Sequence, residues 1–401
     1  MDYHGSKQIL TKKFRNLIKI FMDLDLTKIK TPIFIMQEPE LKQNLNILEY
    51  IQKKSDCKIL LALKGFAFPA VFTLLNKILY GTCASGPYEA MLGYNYFGKE
   101  VHVFSPAYSD ADIEEIIPIA DHIIFNSVSQ WQKYKTKIMQ NKKIQCGLRV
   151  NHGYSEIEVQ LYNPCAPKSR FGILPKQLDD IDLSGISGLH FHSHCQQNSD
   201  VLARTLDIFI EKFDKYIKKM QWLNLGGGHH ITRKDYDVEL LIKLIQNLYK
   251  SYPNLTTIYL EPGEAVALNA GVLVASILDI VHNDADIAIL DISAANHIPD
   301  VLEMPYRPEI IHAELPNVKK YTYRLTGNTC LAGDIIGDYS FDKPLNIGDK
   351  LIFCDMAIYS FVKSNMFNGI KHPNLAVQKL SGEIETVKQY NFNDYLTRLH
   401  G

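Results

Sequence analysis

The segment CKILLALKG, from Cys57 to Gly65, is an almost continuous apolar run of strand length. Such runs are typical of parallel strands, because helices cover both faces of the sheet. Similar short strands are predicted further along the chain, at residues 101–104, 122–125, 145–150, 188–192, 222–225 and 257–260. Helical patterns lie between several of them, including residues 199–220 and 236–252. Eight or so strand–helix units in about 240 residues predict an α/β fold, a (β/α)8 TIM barrel.

The sequence pattern changes after about residue 280, where short strands alternate with turns and prolines. This pattern is typical of an antiparallel β domain. We therefore predict three parts: an N-terminal extension over residues 1–30, a barrel over 31–280 and a C-terminal β domain over 281–401. The first strand, near residues 32–37, is expected to pair with the β domain.

Composition excludes several classes of function. The 401 residues carry a formal net charge of −1, so the chain has no broad attraction for nucleic acid or an anionic membrane. Seven cysteines, an odd number without close pairing, suit a reducing compartment. The first residues lack the apolar core of a signal peptide, and the most apolar stretch is too short for a comfortable membrane span. We expect a cytoplasmic enzyme or a ligand-binding module.

Lys64 interrupts the apolar run from Leu60 to Ala70. A buried ammonium is costly unless another group neutralises it. The lysine could simply extend its amine to solvent at a strand end. Alternatively, a desolvated amine with a lowered pKa is the nucleophile of a Schiff-base enzyme.

Three more strand ends carry chemically unusual residues, and barrel chemistry sits at the carboxyl ends of strands. The glycines 226–228 allow a tight turn or a backbone cradle for phosphate. Glu261 precedes a Pro-Gly turn, where it could be a salt-bridged turn residue or the partner of a protonated heterocycle. His190, His192 and His194 alternate, which permits a metal site or a single imidazole lying flat on an aromatic cofactor.

The C-terminal part offers weaker candidates. Cys330 and Asp334 lie in a glycine-bounded loop, although a lone cysteine is most often a small apolar residue. Tyr359 by itself is most simply a core aromatic residue whose hydroxyl is hydrogen-bonded.

Taken in order, these residues resemble the motifs of the fold-type III pyridoxal-phosphate decarboxylases, which combine an alanine-racemase-like barrel with a β domain. The resemblance runs from about Thr31 to the last strand. Within that group, the segments LALKGFA, EPGEAV, CLAGD, DVLEMPYRP and FNGI resemble carboxynorspermidine (carboxyspermidine) decarboxylases. The resemblance implies decarboxylation of either triamine acid to norspermidine or spermidine, with pyridoxal 5'-phosphate as cofactor and no metal.

The resemblance also implies roles in holding the cofactor. Lys64 would bond to the cofactor aldehyde, and His192 would stack on the pyridine ring. Glu261 would keep the pyridine nitrogen protonated, so that the ring accepts electrons after CO₂ leaves. Gly226, Gly227 and Gly228, with the hydroxyl of Tyr359, would hold the phosphate.

Cys330 would donate the proton to the substrate Cα. In the family, the loop from Cys330 to Asp334 reaches into the neighbouring subunit's barrel. The resemblance therefore implies a homodimer with shared active sites and a small cationic substrate.

Two positions depart from the wider group. Ornithine and diaminopimelate decarboxylases have an acidic residue where this chain has Leu331, and an arginine where it has Glu264. The second change removes a cation near the phosphate, but it suits a polycationic substrate. The expected amine-binding residues are Glu264, Asp300, Glu303 and Asp334.

Three alternatives remain open at this point. One is a diaminopimelate or ornithine-type decarboxylase of the same fold. A second is a pyridoxal-phosphate carrier without turnover. The third is a metal hydrolase that uses the histidines of HFHSH, residues 190–194.

Overall fold

The structure, a computed structural model, describes residues 26–400, so the predicted extension lies almost entirely outside the described residues. The strands are β1 (Ile33–Gln37), β2 (Lys58–Ala62), β3 (Gly81–Ala84), β4 (Glu100–Phe104), β5 (His122–Phe125), β6 (Gln145–Arg149), β7 (Ile186–His190), β8 (Trp222–Asn224), β9 (Thr257–Leu260), β10 (Gly271–Asn283), β11 (Ala285–Leu290), β12 (Tyr321–Thr326), β13 (Ile335–Phe341), β14 (Lys350–Cys354), β15 (Asn374–Gln378) and β16 (Ile384–Lys388). The α-helices are α1 (Glu38–Ser55), α2 (Phe72–Leu75), α3 (Pro87–Leu92), α4 (Asp110–Ile116), α5 (Val128–Ile138), α6 (Ser199–Ile217), α7 (Val238–Ser251), α8 (Glu264–Ala267), α9 (Asp300–Glu303), α10 (Tyr359–Val362) and α11 (Phe392–Leu399). Short 3₁₀ turns occupy Leu26–Lys28, Pro69–Val71, Gln160–Tyr162, Pro175–Gln177 and Phe367–Gly369, and Gly93–Phe97 forms a π turn.

Strands β2 to β9 close a parallel barrel in chain order, which confirms the predicted fold class. The barrel lies in a compact unit that spans Gln37–Ala270. Its strands are buried along most of their length, as continuous apolar segments require. The helices around it follow the usual amphipathic spacing. In α6, for example, the buried residues include Leu202, Leu206, Phe209 and Phe213.

Glycines on two neighbouring strands make room for a tryptophan inside the barrel. Trp222 is buried, and a Cβ atom at Gly147 or Gly188 would overlap its indole ring. The indole N–H donates to the Ser187 hydroxyl at 3.0 Å, so the ring is fixed as well as buried. Trp222 packs there with Tyr259 and Leu60.

The second compact unit comprises the described residues up to Met36 and those from Gly271 onward. Its eight-stranded sheet runs β13-β12-β11-β10-β1-β15-β16, with β14 also paired to β10. Strands β11 and β12 run parallel, whereas the pairs β1–β10, β10–β11, β10–β14, β12–β13 and β15–β16 are antiparallel. The unit begins at Gly271 rather than near residue 280, because β10 pairs with β1, β11 and β14. Among the described residues, no helix is long and apolar enough to cross a membrane.

Candidate active site

Four of the predicted site elements follow barrel strands directly. Lys64 comes two residues after β2, and His192 two residues after β7. The glycine loop, which we define as Gly226–Gly228, follows β8, and Glu261 follows β9. Because the carboxyl ends of parallel strands meet at one mouth of a closed barrel, these elements lie on the same side of the unit.

Glu261 is a buried carboxylate with two side-chain partners. Its Oε1 accepts a hydrogen bond from Asn224 Nδ2 at 2.6 Å, and its Oε2 lies 3.2 Å from His190 Nε2. Burial alone would raise the pKa of Glu261, but the charge and hydrogen bond of His190, with the Asn224 amide, lower it to about 2. The site therefore holds a negative charge away from water.

His192 is tied to the glycine loop. Its Nδ1 accepts the Gly227 N–H at 2.9 Å, which leaves the proton of the neutral ring on Nε2. Burial, together with the charge of Lys64, holds the pKa of His192 well below its usual range, so the ring is neutral. Gly226 and Gly228 have φ values of 71° and 80°, in the left-handed region that favours glycine.

The side chain of Lys64 is exposed, which corrects the expectation that it is desolvated. Its neighbours Leu63 and Phe66 are fully buried, so the apolar run correctly predicts the strand but not the environment of the amine. Burial is the main cause that lowers the pKa of His190 and of His192, and the charge of Lys64 adds to both shifts, so the ammonium lies within electrostatic range of the two histidines. It is accessible to an incoming aldehyde.

Arg149, at the end of β6, is a site residue that the sequence analysis missed. It is 5% exposed, and its guanidinium lies 4.5 Å from the Phe104 ring centroid and 4.4 Å from that of Phe171. One of its nitrogens donates to the backbone oxygen of His192 at 3.1 Å. A basic residue inside an apolar strand, the signal that drew attention to Lys64, could have found it.

The three alternating histidines have separate partners. His190 contacts Glu261, His192 accepts from Gly227, and His194 Nε2 lies 3.0 Å from the Thr205 hydroxyl. Within residues 26–400, one group of three side chains could converge on a metal ion, and it does not include them. That group comprises Glu100, His102 and His122. In it, the ammonium of Lys58 already lies 2.5 Å from a Glu100 oxygen.

In the sheet unit, Cys330 lies on an exposed loop that Asp334 organises. The backbone N–H of Cys330 donates to Asn368 Oδ1 at 2.7 Å. Asp334 is 3% exposed, and its oxygens accept from the Ala294 N–H at 2.8 Å and the Thr329 hydroxyl at 2.6 Å. Asp334 was expected to bind substrate, but the structure turns its carboxylate into its own loop.

The two remaining acidic candidates share a lysine. Lys363 Nζ lies 2.5 Å from Asp300 Oδ1 and also donates to Glu303. Burial opposes the shift, but the hydrogen bonds to both carboxylates, together with their charge, raise the pKa of Lys363. Asp300 and Glu303 therefore form a pair of carboxylates whose spacing allows both to bind one ammonium group. Tyr359 begins α10 and is half-buried.

A family model described as "Pyridoxal-dependent decarboxylase, C-terminal sheet domain" matches residues 45–357. The chain belongs to the pyridoxal-dependent decarboxylases. This decarboxylase is 44% identical to carboxynorspermidine/carboxyspermidine decarboxylase of Campylobacter jejuni subsp. jejuni, over 92% of this chain and 99% of that protein. It is 41% identical to carboxyaminopropylagmatine decarboxylase of Synechocystis, over 95% of this chain and 98% of that protein.

Solved structures give the same grouping. The crystal structure of Campylobacter jejuni carboxynorspermidine decarboxylase in complex with norspermidine matches with a TM-score of 0.86 and 42% identity, over 92% of this chain and all of that one. Diaminopimelate decarboxylase from Helicobacter pylori, complexed with L-lysine, matches with a TM-score of 0.78 at 16% identity, over 93% of this chain and 98% of that one. The second likeness shows the shared fold alone.

The cofactor of this decarboxylase is pyridoxal 5'-phosphate, and the residues of the barrel mouth fit it. Its phosphate needs N–H donors, and the backbone N–H groups of Gly228 and His229 have no acceptor among the described residues. Its pyridine nitrogen needs an anion to stay protonated, and Glu261 is buried and ionised. Its aldehyde needs an accessible amine, and the exposed side chain of Lys64 fits that requirement.

Proposed function

We propose that this decarboxylase acts on carboxynorspermidine and carboxyspermidine, releasing CO₂ and forming norspermidine and spermidine in polyamine biosynthesis. The observation that carries the proposal is the near full-length identity of 44% to an enzyme of that name. The diaminopimelate decarboxylases match at 20–28% identity, several of them over about half of this chain.

We assign the cofactor contacts to the barrel mouth. Lys64 is the amine that bonds to the cofactor aldehyde, and the neutral imidazole of His192 packs on the ring. Glu261 holds a proton on the pyridine nitrogen, and the glycine loop holds the phosphate. The hydroxyl of Tyr359, a residue of the sheet unit, stays a predicted phosphate ligand. When bound, pyridoxal phosphate supplies an electron sink for the pair left behind as the C–CO₂ bond breaks.

Cys330 completes the reaction in this proposal. Its thiol gives a proton to the substrate Cα, and the resulting thiolate regains a proton from solvent. Leu331, in this loop, and Phe367, beside the Asn368 that binds the loop, are large apolar side chains that are 44% and 48% exposed. We infer that a second copy of the chain covers them, so that the enzyme is a cytoplasmic homodimer whose subunits share their active sites.

The substrate is a polycation, and Asp300 and Glu303 are the carboxylates that we propose bind its distal amine. They already bind the ammonium of Lys363, which shows that their spacing suits such a group. Glu303 is 54% exposed and can accept further hydrogen bonds. The substrate amine would join or replace Lys363 in this pair.

A second substrate deserves a test, because the Synechocystis relative, named for carboxyaminopropylagmatine, is almost as similar. That compound places a guanidinium where the triamine acids have an ammonium. Asp300 and Glu303 could accept either group, since both cations donate hydrogen bonds to carboxylates.

The deciding experiment is a substrate panel with CO₂ detection. We expect kcat/KM for carboxynorspermidine or carboxyspermidine to exceed that for diaminopimelate and ornithine by at least about 100-fold, the difference that lost charged hydrogen bonds produce. Preferential turnover of carboxyaminopropylagmatine would reassign the substrate. Preference for diaminopimelate would overturn the proposal, and cofactor binding without any CO₂ release would support the carrier alternative.

A further inference from the structure

Glu264 faces protein groups from two neighbouring loops. It begins α8, directly after the turn that follows Glu261. Its Oε1 accepts a hydrogen bond from Gln196 Nε2 at 2.9 Å, and its Oε2 lies 3.3 Å from His230 Nε2. Only 17% of the Glu264 side chain is exposed. The carboxylate is therefore largely enclosed by loops that follow β7 and β8.

Arg233 connects these two loops on their other side. Its Nη1 donates to the backbone oxygen of Gln196 at 3.1 Å and lies 3.3 Å from His230 Nδ1. A guanidinium only donates hydrogen bonds, so Nδ1 of His230 is the acceptor. The proton of the neutral imidazole then sits on Nε2, the nitrogen that faces Glu264. Among the described residues His230 Nε2 makes no hydrogen bond, so its 3.3 Å approach to Glu264 Oε2 is an electrostatic contact. Through the hydrogen bonds of Gln196 and Arg233 and this contact, the four side chains form a closed circuit, which we call the Glu264 ring: Gln196, His230, Arg233 and Glu264.

The Glu264 ring is connected by backbone hydrogen bonds to the end of the glycine loop. The backbone N–H of Gln197 donates to the Gly228 oxygen at 3.0 Å, and the N–H of His230 donates to the Gln197 oxygen at 3.2 Å. Of the ring residues, Gln196 precedes Gln197 in the chain, and His230 itself donates the second of these bonds. A shift of the Glu264 carboxylate would therefore be transmitted to Gly228, whose N–H group is open to a ligand.

We propose that the Glu264 ring fixes the glycine loop for binding of the cofactor phosphate, which makes Glu264 a positioning residue rather than an amine ligand. The proposal rests on the assignment of the phosphate to the glycine loop. The proposal explains how the glycine loop can bind a phosphate although position 264 carries a carboxylate. The carboxylate acts through its neighbours, holding the donors in place instead of contacting the phosphate.

The test measures the dissociation constant of pyridoxal phosphate from the apoenzyme, by absorbance and fluorescence titration, without any turnover. We expect E264A and H230A each to weaken binding about tenfold, and the double variant to be no weaker than either alone, because one circuit is broken in all three. H230Q retains one donor and one acceptor and should bind close to the wild-type level. E49A, which removes an exposed helix ion pair, is the matched control.

Three results would overturn the proposal. The first is an unchanged cofactor dissociation constant in E264A; a raised KM for the triamine acids would then make Glu264 an amine ligand. The second is a double variant whose loss of cofactor affinity equals the product of the losses in E264A and H230A. The third is equal weakening by H230Q and H230A, a comparison that decides the matter even if E264A fails to fold. All these titrations are independent of the substrate, so they stand whichever acid the enzyme decarboxylates.

Discussion

Substitution of Gly227 by alanine isolates one steric requirement of the cofactor site. Its φ is outside the left-handed region, so alanine brings no backbone strain there, only a methyl group. That Cβ would lie 2.1 Å from the backbone oxygen of Glu261 and 3.0 Å from its carbonyl carbon. The loop must retreat by about 1 Å to reach an ordinary contact, and overpacking of this kind costs about 1–3 kcal/mol.

This displacement of the loop would weaken two hydrogen bonds, one from Glu261 N–H to the Gly226 oxygen at 2.8 Å and one from Gly227 N–H to His192 at 2.9 Å. Each is worth about 1 kcal/mol. We therefore expect G227A to lower the free energy of unfolding by about 2–4 kcal/mol and to weaken pyridoxal phosphate binding by at least about tenfold. Urea denaturation of the apoenzyme and cofactor titration measure the two effects.

The matched control is G86A, because a Cβ at Gly86 meets no atom within 4 Å and the backbone there is extended. This variant should lose only about 0.5–1 kcal/mol, because Gly86 is an N-cap residue and alanine is a poorer N-cap than glycine. If G227A matched G86A in both stability and cofactor affinity, the close approach of the glycine loop to Glu261 would be refuted.

Further outcomes follow from the same geometry. E261Q, which removes the negative charge that we propose lies beside the pyridine nitrogen, should lower kcat by about 10²–10³-fold with little change in fold, as measured by single-turnover CO₂ release and circular dichroism. Burial and the neighbouring His102 lower the pKa of His122 to about 2, so the unfolded chain binds a proton below pH 6.5 that the folded chain rejects. Stability should therefore fall by about 2 kcal/mol from pH 7 to pH 5 at this residue, and urea titrations of H122Q should show a shallower loss. Mixed K64A and C330A subunits, each inactive alone, should recover about a quarter of wild-type activity if subunits share sites, and none otherwise.

The barrel could be predicted from the sequence because its signal is local. Apolar runs such as His122–Phe125 and Thr257–Leu260 coincide with strands of the structure. Strand β3 was not singled out, because Gly-Thr-Cys-Ala has neither a branched apolar run nor an alternating pattern. The end of the barrel unit at Ala270 was also missed, since β10 continues the apolar pattern while changing its pairing partners.

The site was predictable in its residue types but not in its hydrogen bonding. Lys64 and Glu261 stand at strand ends, where barrel topology alone brings them to one mouth. The partners of Glu264 and Asp334 depend on loops distant in sequence; Gln196 is 68 residues from Glu264. Such pairing has no periodic signature, so the sequence alone predicts a substrate ligand where the fold already uses the carboxylate.

The most direct measurement is reduction of the holoenzyme with borohydride, followed by peptide mass mapping of the lysine that carries the pyridoxyl group. If Glu261 binds the pyridine ring of the cofactor and Lys64 is the amine that bonds to its aldehyde, the label lies on Lys64 alone. E261Q should retain that label although it has lost activity. A label on any other lysine, or none in cofactor-saturated protein, would contradict the assignment of the site.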